Sequence, residues 1–176
     1  EFEVQILAIT PKVKQAEITR IKDQLRNFTQ RINSVETTFA TLARLYSEDT
    51  ESARQGGELG YMGRGLLDPA FASVAFNLTD PKKVSKIVES DFGYHIIQLI
   101  DKRGDKINCR HILLKPKVSA EEVDAAIHRL DSIATDIHNA KFTFEQAVAF
   151  ISDDKDTKNN QGLMSNSTAD GMTSRF

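Results

Sequence analysis

Cysteine is nearly absent from this chain. One residue in 176, Cys109, cannot close an internal disulfide, so the sequence gives no evidence for a disulfide-stapled secreted fold. A lone cysteine also excludes a CxxC redox or zinc pair. Charge of one sign is not in excess: the formal net charge is −2, so no overall positive field draws the chain to nucleic acid. Long apolar runs are missing too, and nothing approaches the roughly 18–20 residues that cross a bilayer. The first residues have no signal-peptide pattern, and Glu1 is not an initiator methionine. The expectation is a mature chain or an excised fragment whose address is out of view. What is present is ordinary globular material, 40% hydrophobic and 27% charged, enough for a core in each of one or two domains.

The chain repeats itself. "INCRHILLKPK" (107–117) reads like "EFEVQILAITPK" (1–12), and laying Pro116 on Pro11 sets a shift of 105 residues. With that shift Glu17 meets Glu122, Leu25 meets Leu130, and Thr38-Phe39 meets Thr143-Phe144. Ser47 and Asp49 meet Ser152 and Asp154, Gly57 meets Gly162, and Leu59 meets Met164, without a gap. Short-repeat solenoids have periods of roughly 20–50 residues, so this one indicates two tandem copies of a domain. "DKRGDKIN" is the clearest punctuation between them. It is read as a linker at about 101–106, giving domains 1–104 and 105–176.

Each copy opens on a β-prone run ended by a proline: Val4 to Ile9, then Ile107 to Leu114. A helix is predicted next. Ile18, Ile21, Leu25, Phe28 and Ile32 form its apolar face in copy one, and Val123, Ile127, Leu130, Ala134 and Ile137 in copy two. A shorter helix follows, "TTFATLARLYS" in copy one with Phe39, Leu42, Ala43 and Tyr46 inward, matched by "FTFEQAVAFIS". Copy one continues with a Gly-rich bend into a strand at "GGELGYM". "DPAFASVAF" then has Asp68 as N-cap and Pro69 at the first helical position. "SKIVES" and "GYHIIQLID", joined by "DFG", read as a hairpin. The order implies an α+β domain with a small antiparallel sheet. The last two strands of copy two would fall beyond Phe176, so a longer natural protein is expected. Copy two's first strand is then expected to lack neighbours, and the tail from about residue 150 to be poorly packed or completed by a second molecule.

"YSEDTESARQGGELGYMGRGLLDPAFASVAF", "SDFGYHIIQLIDKR" and the His-Ile-Leu strand of copy two together resemble parvulin-type peptidyl-prolyl isomerases, an FKBP-like fold. The tandem arrangement is similar to that of SurA-type periplasmic folding factors, with copy one complete and copy two covering about its first two thirds. The resemblance implies a first-strand histidine, matched by His111 in copy two and replaced by Ile6 in copy one. It implies an acidic residue after the second helix, Asp49 and Asp154, and a last-strand histidine, His95. Asp49 with His95, and Asp154 with His111, would each make half a polar cluster. The implied proline socket is Leu59, Leu67 and Phe71, with Met164 replacing the first of these in copy two.

The implied activity is cis-trans isomerisation of Xaa-Pro bonds in unfolded or extended chains, in aid of folding extracytoplasmic, outer-membrane-type proteins. It needs no cofactor and no metal. A periplasmic address is implied only by the resemblance. No arginines follow the first strand as they do in phosphate-reading members. The alternative is a chaperone module that holds polypeptide without turnover, favoured for copy one by Ile6. The residues also admit plainer readings: both histidines as sheet-packed structural groups, both aspartates as turn caps, the socket as core. "GGELG" lacks the Gly-Lys-Ser/Thr ending of a phosphate loop, and His128 and His138 are ten apart on one helix, too far for paired ligands.

Overall fold

In a computed structural model, which describes residues 3–164, the chain divides into two compact units that do not follow the repeat boundary. One unit is Val13–Lys117. The other is Glu1–Lys12 together with Val118–Phe176.

The Val13–Lys117 unit is built on a four-stranded antiparallel sheet. Its elements are α1 (Gln15–Asn33), α2 (Phe39–Tyr46), α3 (Thr50–Ala53), β1 (Glu58–Gly63), α4 (Pro69–Ala75), β2 (Val88–Ser90), β3 (Gly93–Arg103) and β4 (Lys106–Leu114). The sheet order is β1-β4-β3-β2. The α+β expectation holds, and Asp68 caps α4 as read, accepting from the amides of Ala70 (2.8 Å) and Phe71 (3.1 Å) with Pro69 next to it.

Two expectations are corrected here. The segment read as a linker is the turn of a tight hairpin: Arg103 pairs with Lys106, and Gly104 at φ +57° opens a two-residue loop. The strand expected to lack neighbours, β4, lies inside the sheet between β1 and β3. A two-residue loop leaves β4 no option but to fold back on β3, so the first strand of copy two completes the sheet of copy one.

Both faces of β3 and β4 are covered, which is why these strands read as near-continuous apolar runs. Tyr94, Ile96, Ile112 and Leu114 pack under α1 and α2 against Ile21, Leu25, Phe28, Phe39 and Leu42. Ile97, Leu99, Ile107 and Cys109 point to the other face, against Phe71, Ala75 and Val88. The Cys109 thiol is buried, and burial pushes it up to about 12. Tyr46, expected inward, is partly exposed and leans on Phe28 with ring centroids 5.0 Å apart.

The other unit contains α5 (Ala120–His138), α6 (Phe144–Ile151) and α7 (Lys155–Lys158), which recur at the 105-residue spacing from α1, α2 and α3. On α5 the buried positions are Ala126 and Ile133; Val123, Ile127 and Ala134, expected on the apolar face, are exposed. Residues 4–10, expected as a strand, run extended with a single bridge from Gln5 to Leu163. They sit where β4 sits in the first unit, and equivalent residues hold them. Ile6 N donates to Gly162 O (2.8 Å) as His111 N donates to Gly57 O (2.9 Å). Asp153 N donates to Ala8 O as Glu48 N does to Leu113 O, both 2.8 Å. Ala8 N reaches Ser152 Oγ (3.2 Å) as Leu113 N reaches Ser47 Oγ (3.1 Å). The two copies have traded first strands. The tail expected to be loosely packed from about 150 has Ser152 and Thr157 fully buried; the part after Met164, including Phe176, lies outside the described residues.

Candidate active site

The trade decides which residues meet. His111 on β4 and His95 on β3 are diagonal neighbours on one sheet face, since His111 pairs with Ile97 and His95 with Leu113. Their rings stack, 5.3 Å apart and tilted by 17°, with Nδ1 facing Nδ1 at 3.1 Å. Asp49, at the start of α3, brings Oδ2 to 2.7 Å from His111 Nε2. Phe71 on α4 sets its ring nearly perpendicular to both imidazoles, 5.4 and 5.5 Å away. His111 is therefore brought to Asp49 and His95, and not to Asp154, which belongs to the other unit. The two half-clusters expected from the sequence are replaced by one cluster in the Val13–Lys117 unit.

The protonation pattern follows from burial and hydrogen bonding. His95 is 3% exposed and His111 6%. Burial, with the neighbouring His111 ring, pushes His95 down to about 4. Burial also pushes His111 down, outweighing its bond to Asp49. Burial pushes the Asp49 carboxyl up, but the hydrogen bonds from Ser52 and His111 prevail and hold it below the ordinary range. At neutral pH two neutral imidazoles thus meet one carboxylate. An ionised carboxylate only accepts, so His111 carries its hydrogen on Nε2 and presents a lone pair at Nδ1. His95 must then donate from Nδ1, leaving its Nε2 to accept from the Ser90 hydroxyl at 2.6 Å. Ser90 Oγ is itself fixed by the Phe92 amide (3.1 Å). One directed chain runs Ser90, His95, His111, Asp49. Each polar hydrogen along it is donated to the next member of the chain.

A cavity of about 440 Å³ opens beside the cluster, lined by Leu59, Leu67 and Phe71 together with Asp49, His95 and His111. All three expected socket residues are brought together here. Asp154 and Met164 are in the other unit, where Thr157 Oγ1 donates to Asp154 Oδ2 (2.5 Å) and Met164 N to Val4 O (3.0 Å). Ser52 and Ser90 were not singled out by sequence. The repeat held a signal for the first, since Ser52 and Thr157 are both hydroxyl residues at the 105-residue shift. Met62, Leu66 and Phe92 also line the cavity and gave no signal of their own. Among the described residues no group of three or more His, Cys, Asp or Glu converges as metal ligands do. Among them also no helix is long and apolar enough to cross a membrane.

Comparison with known proteins adds independent findings. A family model for the rotamase PPIC-type PPIASE domain matches residues 6–101 and again 111–176. The chain is 34% identical over 123 residues to Chaperone SurA of Albidiferax ferrireducens, which covers 70% of this chain and 24% of that protein. It is 37% identical over 97 residues to Foldase protein PrsA 1 of Listeria innocua, covering 52% of this chain and 33% of that one. Over 72 residues it is 46% identical to Chaperone SurA of Yersinia pestis, 41% of this chain and 16% of that protein. The chain thus spans no more than a third of the length of these relatives. The second family match begins at His111, although that residue completes the unit of the first.

Proposed function

The chain belongs to the PPIC-type peptidyl-prolyl isomerase (parvulin) family, and from that premise we propose that its Val13–Lys117 unit is a working prolyl cis-trans isomerase. One observation carries this: His111, Asp49 and His95 meet beside the apolar cavity of Leu59, Leu67 and Phe71.

Rotation about an Xaa-Pro bond meets a barrier of about 18–20 kcal/mol because it breaks amide resonance. Uncatalysed, it takes roughly 10–100 s. No bond is made or broken, so catalysis requires only that the twisted amide be held better than the planar one. The socket grips the proline ring and leaves the preceding carbonyl to swing. The polar chain beside it is rigid and already oriented, and its hydrogens are used internally, so it acts by fixed dipoles and not by proton transfer. Each 1.36 kcal/mol by which it favours the twisted state is a tenfold gain in rate.

The substrates on this reading are unfolded or extended polypeptides containing Xaa-Pro. We propose the periplasm as its place of work and proteins of the outer-membrane type as its clients, a reading supported by the similarity to SurA-type factors. The Glu1–Lys12/Val118–Phe176 unit has Ile6 where the first has His111, and for it we propose polypeptide binding without turnover.

The test is NMR exchange on an Ala-Pro peptide with the whole chain. His111→Ala and His95→Ala should each lower kcat/KM roughly tenfold to a hundredfold, and Ile6→Ala should leave it unchanged. Wild-type chain that binds the peptide without accelerating exchange would replace the isomerase reading with the holding one.

A further inference from the structure

We propose that Ser52 is a positioning residue for the isomerase site: its hydroxyl aims the Asp49 carboxylate at His111 and thereby fixes the tautomer of the histidine pair. The inference rests on the functional reading above and adds to it a residue and a way of acting.

Ser52 is buried, and its hydroxyl donates to Asp49 Oδ2 at 2.5 Å, the same oxygen that accepts from His111 Nε2. It also lies 3.1 Å from His111 Nε2, so hydroxyl, carboxylate and imidazole form a closed triangle. The backbone holds this triangle from behind. Ser52 O accepts from Gly57 N (2.8 Å), and Gly57 O accepts from His111 N (2.9 Å). The residue that orients the carboxylate is therefore tied, through one glycine, to the strand that carries the imidazole. A shift of β4 moves both ends of the hydrogen bond together. Asp49 is half-buried and lines the cavity together with His111, Thr50, Glu51 and Lys115. The Ser52 backbone also bonds the carboxylate, and without the hydroxyl that tie alone would leave Oδ2 free to swing from His111 toward water. His111 would then lose the acceptor that keeps its hydrogen on Nε2, and the pairing with His95 Nδ1 would lose its direction.

The other unit separates this role from mere loop structure. There Gly162 N donates to Thr157 O (2.9 Å), Ile6 N donates to Gly162 O (2.8 Å), and Thr157 Oγ1 donates to Asp154 Oδ2 (2.5 Å). The ring of contacts is the same, with threonine for serine and isoleucine for histidine. The hydroxyl–carboxylate pair therefore forms without a histidine to receive it. In the Val13–Lys117 unit the same pair is therefore available to orient the carboxylate and does not need the His111 contact to form. The molecule also names the substitution that preserves the contact, Ser52→Thr.

The experiment uses the whole chain with Ser52→Ala and Ser52→Thr. The ¹⁵N shifts of the His111 ring report its tautomer without any turnover, and Ala-Pro exchange reports kcat and KM separately. Ser52→Ala should lower kcat roughly 5- to 30-fold with KM nearly unchanged, and move His111 from the Nε2–H form to a mixture. Ser52→Thr should restore both to within about twofold. A His111 tautomer unmoved in Ser52→Ala, or a defect that threonine does not repair, overturns the proposal. If the wild-type chain shows no acceleration, the isomerase reading falls, and the ring shifts still decide whether Ser52 orients Asp49.

Discussion

The two units offer the same slot to two different strands. Beside Gly57 the slot holds Lys106–Leu114, which brings a histidine; beside Gly162 it holds residues 4–10, which bring Ile6 to the equivalent place. The backbone contacts match bond for bond, so the slot does not select the chemistry. Burial differs as well. β4 is buried along most of its length, whereas Val4, Ile6, Leu7 and Ile9 are half-buried. A hairpin fixes the first strand; residues 4–10 are joined onward only through Pro11 and Lys12. The comparison teaches that which side chain enters the slot is set by connectivity, through which of two equivalent strands the chain delivers.

The largest effect should come from cutting where the repeat, not the fold, has its boundary. A fragment 1–104 loses the inner strand of the sheet and His111. It should show no cooperative unfolding and no acceleration of Ala-Pro exchange. Fragment 13–117 should fold, with sharp denaturant unfolding by circular dichroism, and retain activity. Activity in 1–104 would mean that residues 4–10 can replace β4, and the contrast between slots would collapse.

Next in size are the two slot glycines. A methyl group on Gly57, at φ +84°, would stand 2.3 Å from His111 O; one on Gly162, at φ +81°, 2.5 Å from Ile6 O. Each alanine substitution should destabilise its own unit by about 3 kcal/mol or more, read from denaturant midpoints. Only Gly57→Ala should abolish isomerisation.

Acid should separate the units by a smaller margin. The folded pKa of His95, about 4, lies below its ordinary 6.5, so the unfolded chain binds the extra proton first. The stabilising contribution is complete above about pH 6.5 and is lost as pH falls toward 4, with a ceiling of about 3 kcal/mol. His111, also held down by burial, works in the same direction over this range, whereas Asp49, held low, does so only below its ordinary 3.8. Urea unfolding between pH 4 and 7 should show this slope for the Val13–Lys117 unit. The unit with Ile6 lacks the contribution, and an equal slope there would assign the effect elsewhere.

The smallest effect sharpens the comparison from the other side. Ile6→His should place an imidazole near Asp154 and Thr157 at a cost below about 1 kcal/mol, since Ile6 is half-buried. Its ring nitrogens should show the Nε2–H form of His111, and Ala-Pro exchange by the Val13–Lys117 unit should not change.

Much of this was legible in the sequence, and for physical reasons. The helices follow from 3.6-residue periodicity and, at α4, from the Asp68 cap, which are local properties. The histidines, Asp49 and the socket were readable only through the family resemblance that their motifs carry. What was not legible was the partner of the strand at 107–114. A repeat establishes that two segments are equivalent; it does not state which sheet each enters, because pairing is a long-range choice. The deciding signal was local and present: "DKRGDKIN" separates two β-prone runs by a short glycine turn, which is a hairpin signal as much as a linker. On α5 the helical stripe misled because Val123 and Ile127 are exposed and the smaller Ala126 is buried.

The two-residue turn at Gly104 also bears on biosynthesis. As the chain leaves the ribosome, residues 4–10 emerge about 150 residues ahead of their seat beside Gly162. The gap beside Gly57 opens first, and until Leu114 is out they are the equivalent strand at hand for it. A hairpin with almost no loop to close has the entropic advantage over a strand that must return across some fifty residues. The turn therefore favours the histidine-bearing strand for the place beside Gly57 as soon as that strand is out.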